Sequence, residues 1–252
     1  MSSISLLLVA IFLPLFPFSM VFNRLFARTA SAPMRIALLL AWPSIGLVLL
    51  SALGNTLPTW VVYWSVATAL LYAFRALALR DLALWLSHIA TSAWTLLWLP
   101  AVFDETARAS AWPVAAFSVP LVLLAWLTGY LERTYGAAYA GSLGGLATGA
   151  PRLAGLLVFT VLAAIGTPLF PGFFVLLNMI GVSLNTTPAT ALAVLAVWML
   201  WAWAGVRILQ GLIVGPPNDT AQADIGPTQT GILGMVMAAF AAGGIWLSGG
   251  LA

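Results

Sequence analysis

The chain has 252 residues, 63% of them hydrophobic and 6% charged, with a net charge of +3. Soluble domains carry about 25% charged residues, so a soluble globule is excluded. The absence of cysteine excludes disulfides, thiolate ligands and iron–sulfur sites.

In chain order, the first apolar stretch is Ile4–Phe22. It lacks a positively charged start and a small-residue cleavage site, and Arg24 and Arg28 follow it, so it reads as a retained first span. A spanning helix needs about 20 mostly apolar residues. By that measure Ile36–Leu53, Thr59–Phe74, Leu82–Phe103, Pro113–Leu131, Pro188–Val206 and Gly231–Leu247 are full or nearly full spans. Between them Leu153–Leu184 is too long for one span and is interrupted by Gly166-Thr167-Pro168-Leu169-Phe170-Pro171-Gly172. Two prolines there remove backbone donors and clash with the preceding turn. The segment is either one broken helix or a hairpin of two short helices, Leu153–Ile165 and Phe173–Leu184. The expected fold is an all-α polytopic membrane helix bundle of eight or nine spans in a single transmembrane domain.

All nine basic residues are arginine and they are scattered, which excludes the basic cluster that nucleic-acid binding needs. With the hairpin and an outside N-terminus, Arg24, Arg28, Arg35, Arg75, Arg80, Arg133 and Arg152 fall on one side. Arg108 and Arg207 then fall on the other, with Asp104, Glu105, Asp219 and Asp224. A broken helix moves Arg207 to the majority side, with Asp219 and Asp224. Both arrangements satisfy the excess of cytoplasmic arginine in a bacterial inner membrane. Length favours the hairpin, because 32 helical residues would reach about 48 Å, beyond a 30 Å hydrocarbon core.

Few side chains can carry chemistry. Arginine stays charged in proteins, so proton transfer near neutral pH falls to lysine or histidine, and the chain has no lysine and only His88. Thr91, Ser92 and Thr95 follow His88 at helical spacing and share its face. They could line a hydrated half-channel with His88 as its titratable member, or hydrogen-bond two helices together. Asp81 is placed to cap the helix that carries them. Arg207 lies inside the apolar zone if its helix runs on through Gln210 and Ile213, which would demand a partner or snorkelling. Gly234, Ala238 and Ala242 put a small residue at every fourth position of the last span, a spacing that permits close helix packing. No nucleotide motif, paired catalytic carboxylates or Ser/His/Asp set is present, and no cofactor or metal is expected.

Leu143-Gly144-Gly145-Leu146-Ala147-Thr148-Gly149-Ala150-Pro151 is followed by Leu162-Ala163-Ala164-Ile165-Gly166-Thr167-Pro168 and then Pro171-Gly172-Phe173. Arg207 and Gly215-Pro216-Pro217 close the series, and Asp81-Leu82 opens it. In order and spacing these resemble the antiporter-like membrane subunits of respiratory complex I, with relatives in Mrp cation/proton antiporters, membrane-bound hydrogenases and inorganic-carbon uptake complexes. The resemblance covers residues 81–252; residues 1–80 match only as apolar, proline-containing helices. It implies a membrane subunit that works with other membrane subunits, among them a full-length antiporter-like one.

The departures are as informative. The family's relay lysine falls at Ala83, and the glutamate that often follows its Gly-Phe falls near Leu176. His88 stands where the family has tyrosine, so it inherits no family role. The resemblance implies a shortened, degenerate member that keeps the scaffold without the relay. The expectation is an accessory subunit of an ion-motive complex, in the first place one for inorganic-carbon (bicarbonate/CO2) uptake. The alternatives are a complex I-like or hydrogenase-type complex, or an independent channel gated by His88.

Overall fold

The computed structural model describes residues 3–52, 57–103, 110–216 and 224–249. Asp104, Glu105, Arg108 and Asp219 lie outside the described residues. Those described form helices joined by short turns, with no strand among them.

The expected first span is two helices, α1 (Ser3–Phe12) and α2 (Ser19–Arg28), a correction to Ile4–Phe22 as one helix. Pro14 and Pro17 lie in the gap, and proline supplies no amide to continue the ladder. Next come α3 (Ala32–Ser51), capped by the Ser31 side chain on the Met34 amide, and α4 (Trp60–Ala76). Then α5 (Leu82–Thr95) begins at Asp81, whose carboxylate accepts from the Leu84 amide at 2.9 Å, and α6 (Trp98–Phe103) follows. The remainder is α7 (Trp112–Tyr135), the single turn α8 (Leu146–Gly149), α9 (Pro151–Ala164), α10 (Pro171–Thr186), α11 (Pro188–Ile213) and α12 (Pro227–Gly249).

Among the described residues, five helices can cross a membrane by length and composition: α3, α5 with α6, α7, α11 and Pro227–Trp246 of α12. This does not confirm the expected count of eight or nine. The others are shorter apolar pieces flanking proline breaks, or, for α4, a helix of 17 residues.

One hydrophobic core runs from Val9 to Ile225 and joins the first 80 residues to the rest. Helix α5 is its axis. It packs against α2, α4 and α7, and α11 closes over α4. Trp85, Trp94, Trp98 and Trp201 are fully buried in this core. Tryptophan buried this way contributes a large apolar area, and its indole N–H needs a partner.

The second break sits where the Gly/Pro run places it. α9 stops at Ala164, Gly166 takes a φ of 68° and Leu169 one of 114°, and Pro171 starts α10. A positive φ costs glycine nothing, because it has no Cβ to clash. Thr167 Oγ1 donates back to the Leu162 carbonyl at 3.0 Å, and Trp198 Nε1 of α11 donates to the carbonyls of Ile165 and Gly166, both at 3.1 Å. Carbonyls freed by the break are thus bonded again inside the apolar bundle, as a membrane interior requires.

The two halves do not form a hairpin. α10 packs along α11 and α12 and has few contacts with α9. The end of α11 lies at the same end of the bundle as the start of α9, so α9 and α10 together traverse the bundle once. Four contacts establish this. Ala140 donates to the Arg80 carbonyl, Leu82 to Ala138, Gly141 to Gly211, and the amides of Arg152 and Leu153 to the Asp224 carboxylate. The hairpin favoured by length is corrected: Arg207 stands beside Arg80, not opposite it. The length argument assumed a straight rod, whereas the chain leaves helical geometry between Ile165 and Phe170 and the two helices need not be collinear.

Candidate functional site

The histidine and hydroxyl side chains of α5 are buried and each has a protein partner. His88 Nδ1 lies 2.9 Å from the Leu84 carbonyl and 3.3 Å from Ser87 Oγ. Because a carbonyl can only accept, Nδ1 carries the hydrogen. The imidazole rests against the Tyr72 ring of α4, with centroids 5.3 Å apart. Thr91 Oγ1 donates to the Ser87 carbonyl and accepts from Asn23 Nδ2 of α2 at 2.9 Å. Ser92 Oγ donates to the Ala69 carbonyl of α4 at 2.8 Å and accepts from Trp201 Nε1 of α11 at 2.9 Å. Thr95 Oγ1 reaches the Pro14 carbonyl in the first break at 3.4 Å.

The shared face expected of His88, Thr91, Ser92 and Thr95 is thus divided among neighbours. Thr91 faces α2, Thr95 the break after α1, Ser92 both α4 and α11, and His88 the ring of Tyr72. Chemically this arrangement is a set of hydrogen bonds, some within α5 and some between helices, in which every α5 hydroxyl donates to a backbone carbonyl. Residues outside the expected face complete it. Ser19 and Tyr72 share a hydrogen bond of 2.8 Å, Trp94 Nε1 donates to Ser118 at 3.1 Å, and Trp98 Nε1 to the Leu13 carbonyl at 3.0 Å. The sequence singles out Thr91 but not its partner Asn23, 68 positions away, although an amide at the edge of an apolar run is a signal for it. Among the described residues, the buried atoms Asn23 Oδ1 and Trp85 Nε1 have no hydrogen-bond partner.

The positions where the resembled family carries relay groups are packed. Ala83 is 7% exposed in the first turn of α5, and Leu176 is 1% exposed in α10. A Cβ on Gly166 would come within 2.9 Å of Leu176 Cδ1, so Leu176 fills the space beside the break. Among the described residues, no group of three or more His, Cys, Asp or Glu side chains could hold a metal.

At the arginine-rich end, Arg35 Nη1 reaches both carboxylate oxygens of Glu132, at 2.7 and 2.9 Å, and ties the start of α3 to the end of α7. Arg207 is exposed near the end of α11, which does run on to Ile213. It lines a cleft with Arg80 and Gln210 and forms no ion pair among the described residues.

No family model matches the chain, and no curated protein matches it. Among solved structures it is similar to a chain of respiratory complex I from Thermus thermophilus, at 19% identity and a TM-score of 0.77, covering 94% of this chain and 53% of that one. It is also similar to a chain of the Mrp complex from Dietzia sp. DQ12-45-1b, at 20% identity and a TM-score of 0.70, covering 85% and 42%. A chain of the membrane-bound sulfane sulfur reductase, an archaeal respiratory membrane complex, gives 14% identity and a TM-score of 0.80, covering 95% and 51%. This chain spans about half the length of those it matches. At such identities the likeness is one of fold. The resemblance carried by the Gly/Pro motifs is therefore matched in three dimensions, in a multi-pass membrane fold shared with complex I and Mrp chains.

Proposed function

We propose that the chain is an accessory integral-membrane subunit of a larger ion-motive complex, packed beside a full-length antiporter-like, proton-conducting subunit. The observation that carries this reading is a scaffold kept without its relay. The fold matches chains of proton-coupled assemblies, while Ala83 and Leu176 are buried apolar contacts where the resembled family has titratable groups. His88 is the one histidine of a chain without lysine, and its neighbours use the same helix face for interhelical bonds. Broad apolar faces support a place among other subunits: Leu192, Met199 and Trp203 on α11, and Met235 and Trp246 on α12, are exposed.

In this reading the arginine-rich end is cytoplasmic in a bacterial inner membrane. The α1–α2 and α9–α10 pairs are each one broken crossing, which gives eight crossings and an N-terminus outside. The favoured context is inorganic-carbon uptake driven by proton flow, since the chain departs far from an ordinary respiratory subunit. A complex I-like or hydrogenase-type assembly is the second context.

Purification of the tagged chain in mild detergent tests the proposal. At least one further membrane subunit is expected to co-purify. A soluble zinc protein alongside it marks the inorganic-carbon context, and quinone- or hydrogen-active subunits mark the second. In liposomes bearing the assembly, His88→Ala is expected to leave proton flux unchanged. A monodisperse lone monomer whose flux is lost on His88→Ala would instead make the chain an independent channel.

A further inference from the structure

The cleft holding Arg80 and Arg207 has no role in the reading above and does not depend on it. We propose that this cleft binds a phosphate group at the membrane surface, that of an acidic phospholipid headgroup. Its volume is about 380 Å³, and Arg80, Arg207 and Gln210 are among the residues that line it, with no acid among the described ones. The acids among the described residues have other partners. Asp81 accepts from the Leu84 amide, Glu132 is held by Arg35, and Asp224 accepts from the amides of Arg152, Leu153 and Ile225.

Two arginines lining one concavity, with no acid among the described residues that line it, favour an anion. Guanidinium forks suit a tetrahedral oxyanion, because each can donate two parallel N–H bonds. The floor is preformed. Gly141 donates to the Gly211 carbonyl at 2.6 Å and Ala140 to the Arg80 carbonyl at 2.8 Å. A Cβ on Gly211 would lie 2.8 Å from that of Ala140, so the two backbones meet closely at the floor of the cleft. Leu77 and Leu79 also line the cleft, and Phe74 and Val206 are exposed beside it, so an acyl chain would find apolar surface next to the charged pocket. Basic pockets between helices near the membrane surface recognise acidic headgroups by this combination.

Native mass spectrometry of the detergent-purified protein tests the site with phosphatidylglycerol, phosphatidylcholine and inorganic phosphate as probes. Phosphatidylglycerol is expected to bind at least about tenfold more tightly than phosphatidylcholine, a preference the Arg80→Gln/Arg207→Gln variant loses and Arg28→Gln keeps. Retention of phosphatidylglycerol by the unaltered protein is expected to fall with added salt, which needs no variant to fold. Displacement by millimolar inorganic phosphate in the unaltered protein but not in the double variant would identify free phosphate as the occupant of the same site. Equal binding of the two lipids, or equal losses in the double variant and in Arg28→Gln, would overturn the proposal.

Discussion

Ser92 joins three helices through one oxygen. It sits on α5, donates to the Ala69 carbonyl of α4 and accepts from the Trp201 indole of α11. Removing the hydroxyl leaves the buried Trp201 indole N–H without a partner, while the Ala69 carbonyl keeps its place in the α4 ladder. Ser92→Ala is expected to cost about 1 kcal/mol, the scale of interhelical hydrogen bonds in membranes. Trp201→Phe should cost a similar amount, and the double variant less than the sum, because both remove the same bond. Denaturant unfolding in detergent measures the cycle; strict additivity would mean that the bond contributes nothing. The local part of this residue-scale picture was legible. Asp81 as an N-cap follows from an acid placed before an apolar helix, since its partner is three residues away. The Ser92–Trp201 bond was not, because 109 residues separate the partners and only folding makes them neighbours.

Among the elements, the two proline-containing breaks behave differently with respect to sequence. Residues 166–172 announce themselves by two glycines and two prolines, and α9 and α10 end and begin there. Pro14 and Pro17 stand in a run apolar enough to pass for one span, and composition overrides two prolines when length alone is counted. How the second break is covered lies beyond any local signal. Phe240 of α12 stacks on Phe170 at 6.2 Å, and a Cβ on Gly244 would overlap the Leu169 carbonyl. The small position that α12 presses against its neighbours is therefore Gly244, while Ala238 and Ala242 of the expected small-residue face are exposed. Gly244→Val is expected to lift the last turns of α12 from the break and to destabilise by about 1–3 kcal/mol, the range for overpacking. A lowered thermal midpoint together with faster proteolysis near α12 would confirm it, and an unchanged midpoint would count against close docking.

For the whole molecule the decisive relation is that the described arginines near the helix ends gather at one end. Arg35 pairs with Glu132, Arg80 and Arg207 share a cleft, and Arg152 begins a helix capped by Asp224. A chain without cysteine permits a direct check. Single cysteines at positions 80 and 207 are expected to react with an impermeant thiol reagent from the same side of sealed vesicles. Labelling from opposite sides would restore the hairpin and remove the single traverse by α9 and α10.

The sequence by itself determined that the chain is a helical membrane protein, where most helices lie, and that motifs resembling the antiporter-like family recur in order, with Ala83 and the vicinity of Leu176 standing where that resemblance implies relay groups. Such features are carried by composition, period and spacing, which are local. The tertiary structure alone decided that α9 and α10 pass through the bundle once, that Arg207 stands beside Arg80, and that the polar residues of α5 spend their hydrogen bonds on α2, α4, α11 and the first break. Those relations depend on which helix ends meet, and residues far apart in the chain settle that by burying apolar area and satisfying backbone groups together.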